Sequence, residues 1–158
     1  MMNTKLKIKL CFLIIVFLSG CVIAPEATMP KYSNSTCNEL ASRFDDLVIN
    51  FDKYIESIDQ QIVEGGKKYI YVEVGGSLKN IKVGGCGPSS MGSKTGVGCT
   101  YYLTFNGIKR EKTYYTNVDN PDKINDKMLG KFYKLKIHIY KRGSQTYTYL
   151  QNYEELKC

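Results

Sequence analysis

The sequence has one histidine, His138, and its neighbours decide whether it fits a catalytic role. It stands in an alternating apolar and polar stretch, where the residues on its own side are Lys134, Lys136 and Tyr140. A Ser-His-acid set needs a carboxylate that orients the imidazole, and neither position two residues from His138 is acidic. The Gly-x-Ser-x-Gly elbow of many hydrolases does not occur either. The pattern favours a solvent-exposed histidine among cations, and we predict no catalytic residue.

Two adjacent carboxylate pairs, Asp45-Asp46 and Glu154-Glu155, are the other residues that could carry acid–base chemistry. Glycoside hydrolases place such residues on either side of the sugar bond that they cleave. Asp45 and Asp46 fall on the polar side of a predicted helix, where a solvated surface explains them. A cell-wall hydrolase that uses His138 or an acid pair is therefore the alternative function, and a non-enzymatic protein is favoured.

The Gly-rich stretch GCGPSSMGSKTGVGC, residues 85–99, looks at first like a phosphate-binding loop. In a P-loop, the lysine follows the second glycine directly so that its ammonium group reaches the phosphates. Here Ser93 stands between Gly92 and Lys94, and no strand–helix–strand pattern surrounds the stretch. We therefore predict a loop closed by its flanking cysteines, with no nucleotide or other cofactor.

The N-terminal segment has the parts of an export signal. Three lysines, at positions 5, 7 and 9, precede an apolar core at 10–18, which is about half as long as a bilayer-spanning helix. The residues that end this segment, Leu18-Ser19-Gly20-Cys21, resemble the lipobox of bacterial lipoproteins. The resemblance implies that residues 1–20 are a signal peptide and that Cys21 is lipidated and becomes the new N-terminus. Two or more acyl chains on Cys21 would anchor the protein firmly to a membrane.

The same resemblance implies a bacterial envelope location but no particular activity. An Asp after the lipidated cysteine favours retention in the inner membrane of enteric bacteria, and this chain has Val22 there. The expected location is therefore the outer membrane. Nucleic acid is not expected as a partner in this compartment.

Charge is distributed unevenly along the chain. Removal of the signal peptide would lower the formal net charge from +7 to +4, because it takes away three lysines. Residues 37–64 carry seven acids against two basic residues, whereas residues 65–158 carry sixteen basic residues against seven acids. Either an acidic helix covers a basic sheet, or the basic part forms a surface for an anionic partner.

The pattern after Cys21 predicts a tether followed by a helix. Residues 21–36 contain two prolines and no periodicity, which indicates a linker. Thr36 and Glu39 then have the spacing of a capping box. Apolar residues recur at intervals of three and four, which predicts one long amphipathic helix that ends at Gly65-Gly66; they are Leu40, Phe44, Leu47, Val48, Phe51, Ile55, Ile58 and Ile62.

From Lys67 onward, alternating Tyr, Val, Ile and Thr predict strands. Three turns are expected between them: Gly75-Gly76, Asn106-Gly107 as a type I′ hairpin turn, and Arg142-Gly143-Ser144. The predicted fold is α+β, with the long helix packed on an antiparallel sheet of about five to six strands. Residues 37–158 then form one domain stapled by disulfides.

Four cysteines remain in the predicted domain: Cys37, Cys86, Cys99 and Cys158. An even number in an exported chain indicates two disulfides, for which four cysteines allow three pairings. We favour Cys86 with Cys99, which closes the Gly-rich loop, and Cys37 with Cys158, which joins the helix start to the last residue. A zinc site is disfavoured because no Cys-x-x-Cys occurs, so no metal is predicted.

Tyrosine is unusually frequent: the chain has thirteen, eleven of them after residue 65, and no tryptophan. Tyrosines and lysines that alternate on strands can form a stacking surface for sugars, although tyrosine is also simply a good strand former. The candidate binding face is Lys134, Lys136, His138 and Tyr140. We predict a lipid-anchored binding module, of the immunity, inhibitor or accessory type, for a protein or glycan partner; a structural envelope component is a further alternative.

Overall fold

The computed structural model describes residues 31–61, 68–88, 97–119 and 121–158. The predicted signal peptide, Cys21, the tether up to residue 30, the Gly65-Gly66 helix end and the centre of the Gly-rich loop lie outside these ranges.

Two helices precede five strands in the described chain. The helices are α1 (Ser35–Ile49) and α2 (Phe51–Asp59); the strands are β1 (Tyr69–Pro88), β2 (Val97–Asn106), β3 (Glu111–Val118), β4 (Phe132–Arg142) and β5 (Gln145–Leu156). Two single turns of 3₁₀ helix lie between β3 and β4. All strands pair antiparallel in one sheet, in the order β3-β2-β1-β4-β5. This confirms the α+β class and the antiparallel sheet.

The helical segment is divided where one long helix was predicted. Asn50 has φ −108° and ψ 32°, outside the helical region, and separates α1 from α2. Its side-chain amide donates to Asp46 Oδ1 at 2.6 Å, a local bond of the kind by which Asn competes with helix geometry. The expected capping box does not form, because Asn34 is the N-cap and its side chain accepts from the Thr36 amide at 2.8 Å.

Strand β1 runs straight through the Gly75-Gly76 position, where a turn was predicted. Its first part, residues 69–77, pairs with β4, and its second part, residues 77–88, pairs with β2. One long strand therefore has a different neighbour on each of its two edges. A Cβ on Gly75 would lie 2.7 Å from the Phe132 ring and 2.8 Å from Leu40 Cβ. The glycine is therefore needed for close approach of α1 to the sheet, not for a turn.

The connection between β2 and β3 is a four-residue loop, 107–110, and not the predicted type I′ turn. In the described chain, positive φ occurs only at Gly130 and Gly143, whereas a type I′ turn needs it at both central residues. The buried carboxylate of Asp45 holds the loop, since it accepts from the amides of Lys109 at 2.8 Å and Arg110 at 3.0 Å. Asp45, predicted to be solvated on the helix surface, is thus a structural anchor.

The hairpin between β4 and β5 forms at the predicted place. Arg142 pairs with Gln145, and Gly143 has φ 60°, as the first central residue of a two-residue hairpin turn requires. Strand β5 then extends from Gln145 to Leu156.

The core lies between the helices and one face of the sheet. Strand β4 alternates as expected, with Leu135, Ile137 and Ile139 fully buried. These side chains pack in one cluster with residues from both helices, which are Phe44, Leu47 and Ile58. Burial of each such side chain contributes about 1.5–3 kcal/mol to folding. None of the helices in the described ranges is long and apolar enough to cross a bilayer.

Two disulfides join the elements in the pairing favoured from the sequence. Cys37 in the first turn of α1 is bonded to Cys158, across 121 residues of chain. Cys86 is bonded to Cys99, which stands directly opposite it in the β1–β2 ladder. The first bond fixes the end of the chain to the helical layer, and the second closes the Gly-rich loop.

Candidate functional site

The four residues of the predicted binding face lie on the same side of β4. Lys134, Lys136, His138 and Tyr140 alternate with the buried core residues and are partly exposed. Their neighbours across the sheet extend this face in both directions. His138 pairs with Tyr71 of β1 and Tyr149 of β5, and Tyr140 pairs with Tyr69 and Tyr147.

These neighbours form an aromatic cluster, which we define as Tyr69, Tyr71, His138, Tyr140 and Tyr147. The His138 ring is stacked on Tyr71 at a centroid distance of 4.7 Å and lies 4.9 Å from Tyr140. Tyr69 meets it edge-on at 5.3 Å, and Tyr140 is stacked on Tyr147, also at 5.3 Å. Contacts of this kind contribute about 0.5–1.5 kcal/mol each beyond area burial, so the rings hold one another in place.

His138 is therefore not the exposed histidine among cations that the sequence predicted. Its Nε2 atom is buried and has no hydrogen-bond partner. Burial among the rings lowers the pKa of His138, so the imidazole is neutral near pH 7. The prediction was wrong because the residues that surround His138 come from β1 and β5, and the pattern of β4 alone does not show them.

The two lysines of the predicted face are already engaged within the sheet. Lys134 Nζ lies 3.0 Å from Glu73 Oε2, and Lys136 Nζ lies 4.7 Å from the centre of the Tyr71 ring. An exposed ion pair of this kind contributes little to stability, but it reduces the local positive charge. The free positive charge of this face is therefore smaller than the sequence indicates.

The two edge strands, β3 and β5, approach each other at one end of the sheet. The rings of Tyr115 and Tyr149 meet edge-on with centroids 5.2 Å apart. The amide of Asn117 donates to the Tyr149 hydroxyl at 3.4 Å. Burial, together with a hydrogen bond to Tyr140, raises the pKa of Tyr115 to about 12. These contacts curl the sheet so that its edges enclose a cleft.

This cleft has a volume of about 570 Å³, within the range of small-molecule sites. We call it the tyrosine cleft. Its lining residues are Lys68, Tyr69, Tyr115, Asn117, His138, Tyr140, Lys141, Arg142, Gly143 and Tyr149. Aromatic rings and cations thus make up most of the wall, and no carboxylate stands among these lining residues. Only His138 and Tyr140 belong also to the predicted face.

The three cations of the tyrosine cleft differ in the groups that they contact. Lys141 Nζ contacts both carboxylate oxygens of Asp59, at 2.6 and 2.9 Å, and Lys68 Nζ donates to the Asp59 backbone carbonyl at 2.7 Å. The Arg142 guanidinium lies 5.8 Å from the centre of the Tyr140 ring and makes no ion pair with any described carboxylate. Arg142 is therefore the charge in this cleft most available to a ligand.

Two smaller clefts lie elsewhere in the described chain. One cleft of about 200 Å³ lies at the β2–β3 loop, and another of about 270 Å³ lies beside Cys158 and Phe132. Within the described ranges, no group of three His, Cys, Asp or Glu residues is placed to hold a metal ion.

Sequence reasoning missed most residues of the tyrosine cleft. Tyr69, Tyr115, Tyr149 and Arg142 come from four strands, and only the curl of the sheet brings them together. The one signal that indicated them was the tyrosine frequency after residue 65. Comparison of the chain with protein families, curated proteins and solved structures found no match. What the protein does is therefore inferred from its own residues and geometry.

Proposed function

We propose that the protein is a lipid-anchored binding protein of a bacterial envelope, which holds its ligand in the tyrosine cleft. The lipobox-like sequence ending at Cys21 supports the anchor and the address. The two disulfides are in keeping with an exported protein, because such bonds persist in oxidising compartments.

The observation that carries the binding proposal is the composition of the tyrosine cleft. Rigid aromatic rings offer large contact area at low entropic cost, and a few polar groups fix the orientation of a ligand. Acid–base catalysis would need a proton acceptor paired with an orienting group. No described carboxylate lines the cleft beside His138 to orient it, and its buried Nε2 atom contacts no described hydroxyl whose proton it could take. Binding is therefore the function that this geometry supports best.

The membrane anchor predicts complete loss of lipid labelling in a Cys21→Ala variant. The acyl chains attach through the Cys21 thiol, which alanine lacks. Cells fed a clickable fatty acid should label the wild-type protein, whereas the variant should carry no label and leave the membrane fraction. Cys11→Ala, in the predicted signal peptide, is the matched control and should keep the label. Label retained in Cys21→Ala would contradict the anchor.

The cleft predicts that Tyr140→Ser weakens ligand capture about 5- to 150-fold, since loss of one stacked aromatic contact costs about 1–3 kcal/mol. The assay immobilises the full chain in detergent and measures retention of the protein and glycan fractions of an envelope extract. Tyr102→Ser is the control, because Tyr102 is 41% exposed and lies outside the cleft. Equal retention by both variants would exclude the tyrosine cleft as the binding site.

The His138→Phe variant distinguishes the hydrolase hypothesis from the binding hypothesis. Phenylalanine keeps a ring in the stack between Tyr71 and Tyr140 but removes every proton-transfer atom. A binding protein should keep its retention of envelope material within about twofold, since most contact residues outside hot spots are nearly neutral. Release of soluble fragments from purified peptidoglycan by the wild type, abolished in His138→Phe, would instead establish an enzyme.

A further inference from the structure

We propose that the ligand of the tyrosine cleft is an anionic saccharide, whose ring lies against the tyrosines and whose acidic group is bound by Arg142. This inference rests on the proposed binding function and specifies the class of ligand. The acidic group is a carboxylate or a phosphate, because both match a guanidinium in charge and in hydrogen-bonding geometry.

The shape of the wall favours a flat ligand with an apolar face. Tyr69 and Tyr140 line the cleft as members of the aromatic cluster, and Tyr115 and Tyr149 face them from the converging edges. A tyrosine presents an apolar ring and a polar hydroxyl tip. A sugar ring has the complementary form, with C–H groups on its faces and hydroxyl groups around its rim. The volume of about 570 Å³ is large enough for a small saccharide.

Polar groups at the rim can orient such a ring. The Oδ1 atom of Asn117 accepts from the Thr100 hydroxyl, and its side-chain nitrogen is a donor. The hydroxyls of Tyr115, Tyr140 and Tyr149 are donors and acceptors, and sugar hydroxyls need both kinds. Interaction with Tyr140 contributes to the raised pKa of Tyr115, and all three tyrosines line the same cleft.

The charge balance of the cleft favours an anion. Lys68, Lys141 and Arg142 bring three positive charges, and among the described carboxylates that of Asp59 pairs with Lys141. Lys68 donates to the Asp59 backbone carbonyl, which carries no charge, and the Arg142 guanidinium has no carboxylate partner in the described chain. Arg142 also adjoins the hairpin turn at Gly143, where its exposed side chain is open to a ligand from solvent. Arginine binds carboxylate and phosphate groups through two parallel hydrogen bonds.

An extended acidic peptide fits this cleft less well. Peptides commonly bind by adding a strand to an exposed sheet edge, which requires free backbone amides there. At Asn117 the amide of edge strand β3 already donates to the Tyr149 hydroxyl. At this point the edge of β3 therefore offers no free amide to an added strand, and the cleft lining supplies side chains, which a saccharide requires.

The test measures binding of four matched sugars to the full chain in detergent by tyrosine fluorescence, which is selective because the chain has no tryptophan. The probes are methyl glucuronide, its methyl ester, methyl glucoside and glucose 6-phosphate. We expect at least one anionic sugar to bind about tenfold more tightly than its neutral counterparts. In Arg142→Gln this preference should fall to about one, whereas Lys82→Gln, an exposed cation outside the cleft, should keep it. The phosphate and carboxylate probes show which acidic group is preferred.

The outcomes separate this inference from the proposed function. Equal binding of charged and neutral sugars would overturn the anionic class and leave the binding function intact. If no sugar binds, but a protein of the envelope extract is retained by the wild type and lost in Tyr140→Ser, the saccharide inference is overturned and the binding function again stands. A preference that survives in Arg142→Gln would also overturn the inference, because the acidic group would then lie elsewhere. Retention of neither protein nor glycan would contradict the binding function itself.

Discussion

Replacement of both Cys37 and Cys158 by alanine should lower the free energy of unfolding by about 5 kcal/mol, the value that the chain-entropy treatment gives for a loop of this length. The bond closes 121 residues, so its loss releases nearly the whole described domain in the unfolded state. Cys37 is also fully buried against Leu40, Ala41 and Phe132, and alanine leaves a small cavity there. Urea unfolding followed by circular dichroism would measure the loss.

The second disulfide is the internal comparison for this prediction. Cys86 and Cys99 are separated by 13 residues and already face each other in a hydrogen-bonded ladder. The same treatment gives about 3 kcal/mol for their loop, so the Cys86→Ala, Cys99→Ala variant should unfold at a higher urea concentration than the Cys37→Ala, Cys158→Ala variant. The reverse order would show that the long crosslink constrains the unfolded chain less than its length implies. Because the typical total is about 5–15 kcal/mol, the first variant is expected to lose between about a third and all of its stability.

Local sequence patterns predicted the elements of this fold well where neighbouring residues alone determine the conformation. The alternation around Leu135, Ile137 and Ile139 placed β4 and its buried face, because successive strand residues point to opposite sides of a sheet. Gly143 was recognised as a turn residue, and its positive φ shows why glycine is needed there. Each of these features depends on a few neighbouring residues.

One failure occurred where a distant element determines the local conformation, and another where a local side-chain bond does. Gly75-Gly76 has the composition of a turn, but the bulk of Leu40 and Phe132 explains it as a site of close packing. Asn50 has the spacing of a helix interior, but its bond to Asp46 accompanies a break. Periodicity records which residues are apolar and does not record such contacts.

The candidate site shows the same division between local and distant information. Its β4 residues His138 and Tyr140 were predicted, because they follow the alternation of one strand. Arg142, Tyr115 and Tyr149 were not, since the edges of the sheet meet only in three dimensions. A count of charged residues also overestimated the free positive charge of this face. Lys134 is paired with Glu73, and Lys136 lies over the Tyr71 ring. Of the predicted binding face, His138 and Tyr140 therefore line the cleft, and Lys134 and Lys136 do not.

Substitution of Gly107 by alanine should destabilise the protein by about 3 kcal/mol, at the upper end of the usual cost of overpacking. A Cβ there would overlap the Asp45 carboxylate and lie 2.8 Å from Phe44 Cδ1 and 2.9 Å from the Ala41 carbonyl oxygen. The helix backbone cannot easily yield, so the loop must move away. Movement of the loop would break the bonds from the Lys109 and Arg110 amides to Asp45 and leave a buried carboxylate poorly satisfied. Urea unfolding would measure the change.

Gly85→Ala is the matched control, because no atom lies within 4 Å of a Cβ at that position. Its φ is not in the left-handed region, so alanine should stabilise the protein by about 0.4–1 kcal/mol by restricting the unfolded chain. The two glycine-to-alanine changes are thus expected to have opposite signs. In an Asp45→Ala background the penalty of Gly107→Ala should shrink, since the overlapping carboxylate is gone. An unchanged penalty there would show that the loop is excluded by Phe44 and the helix backbone, and not by Asp45.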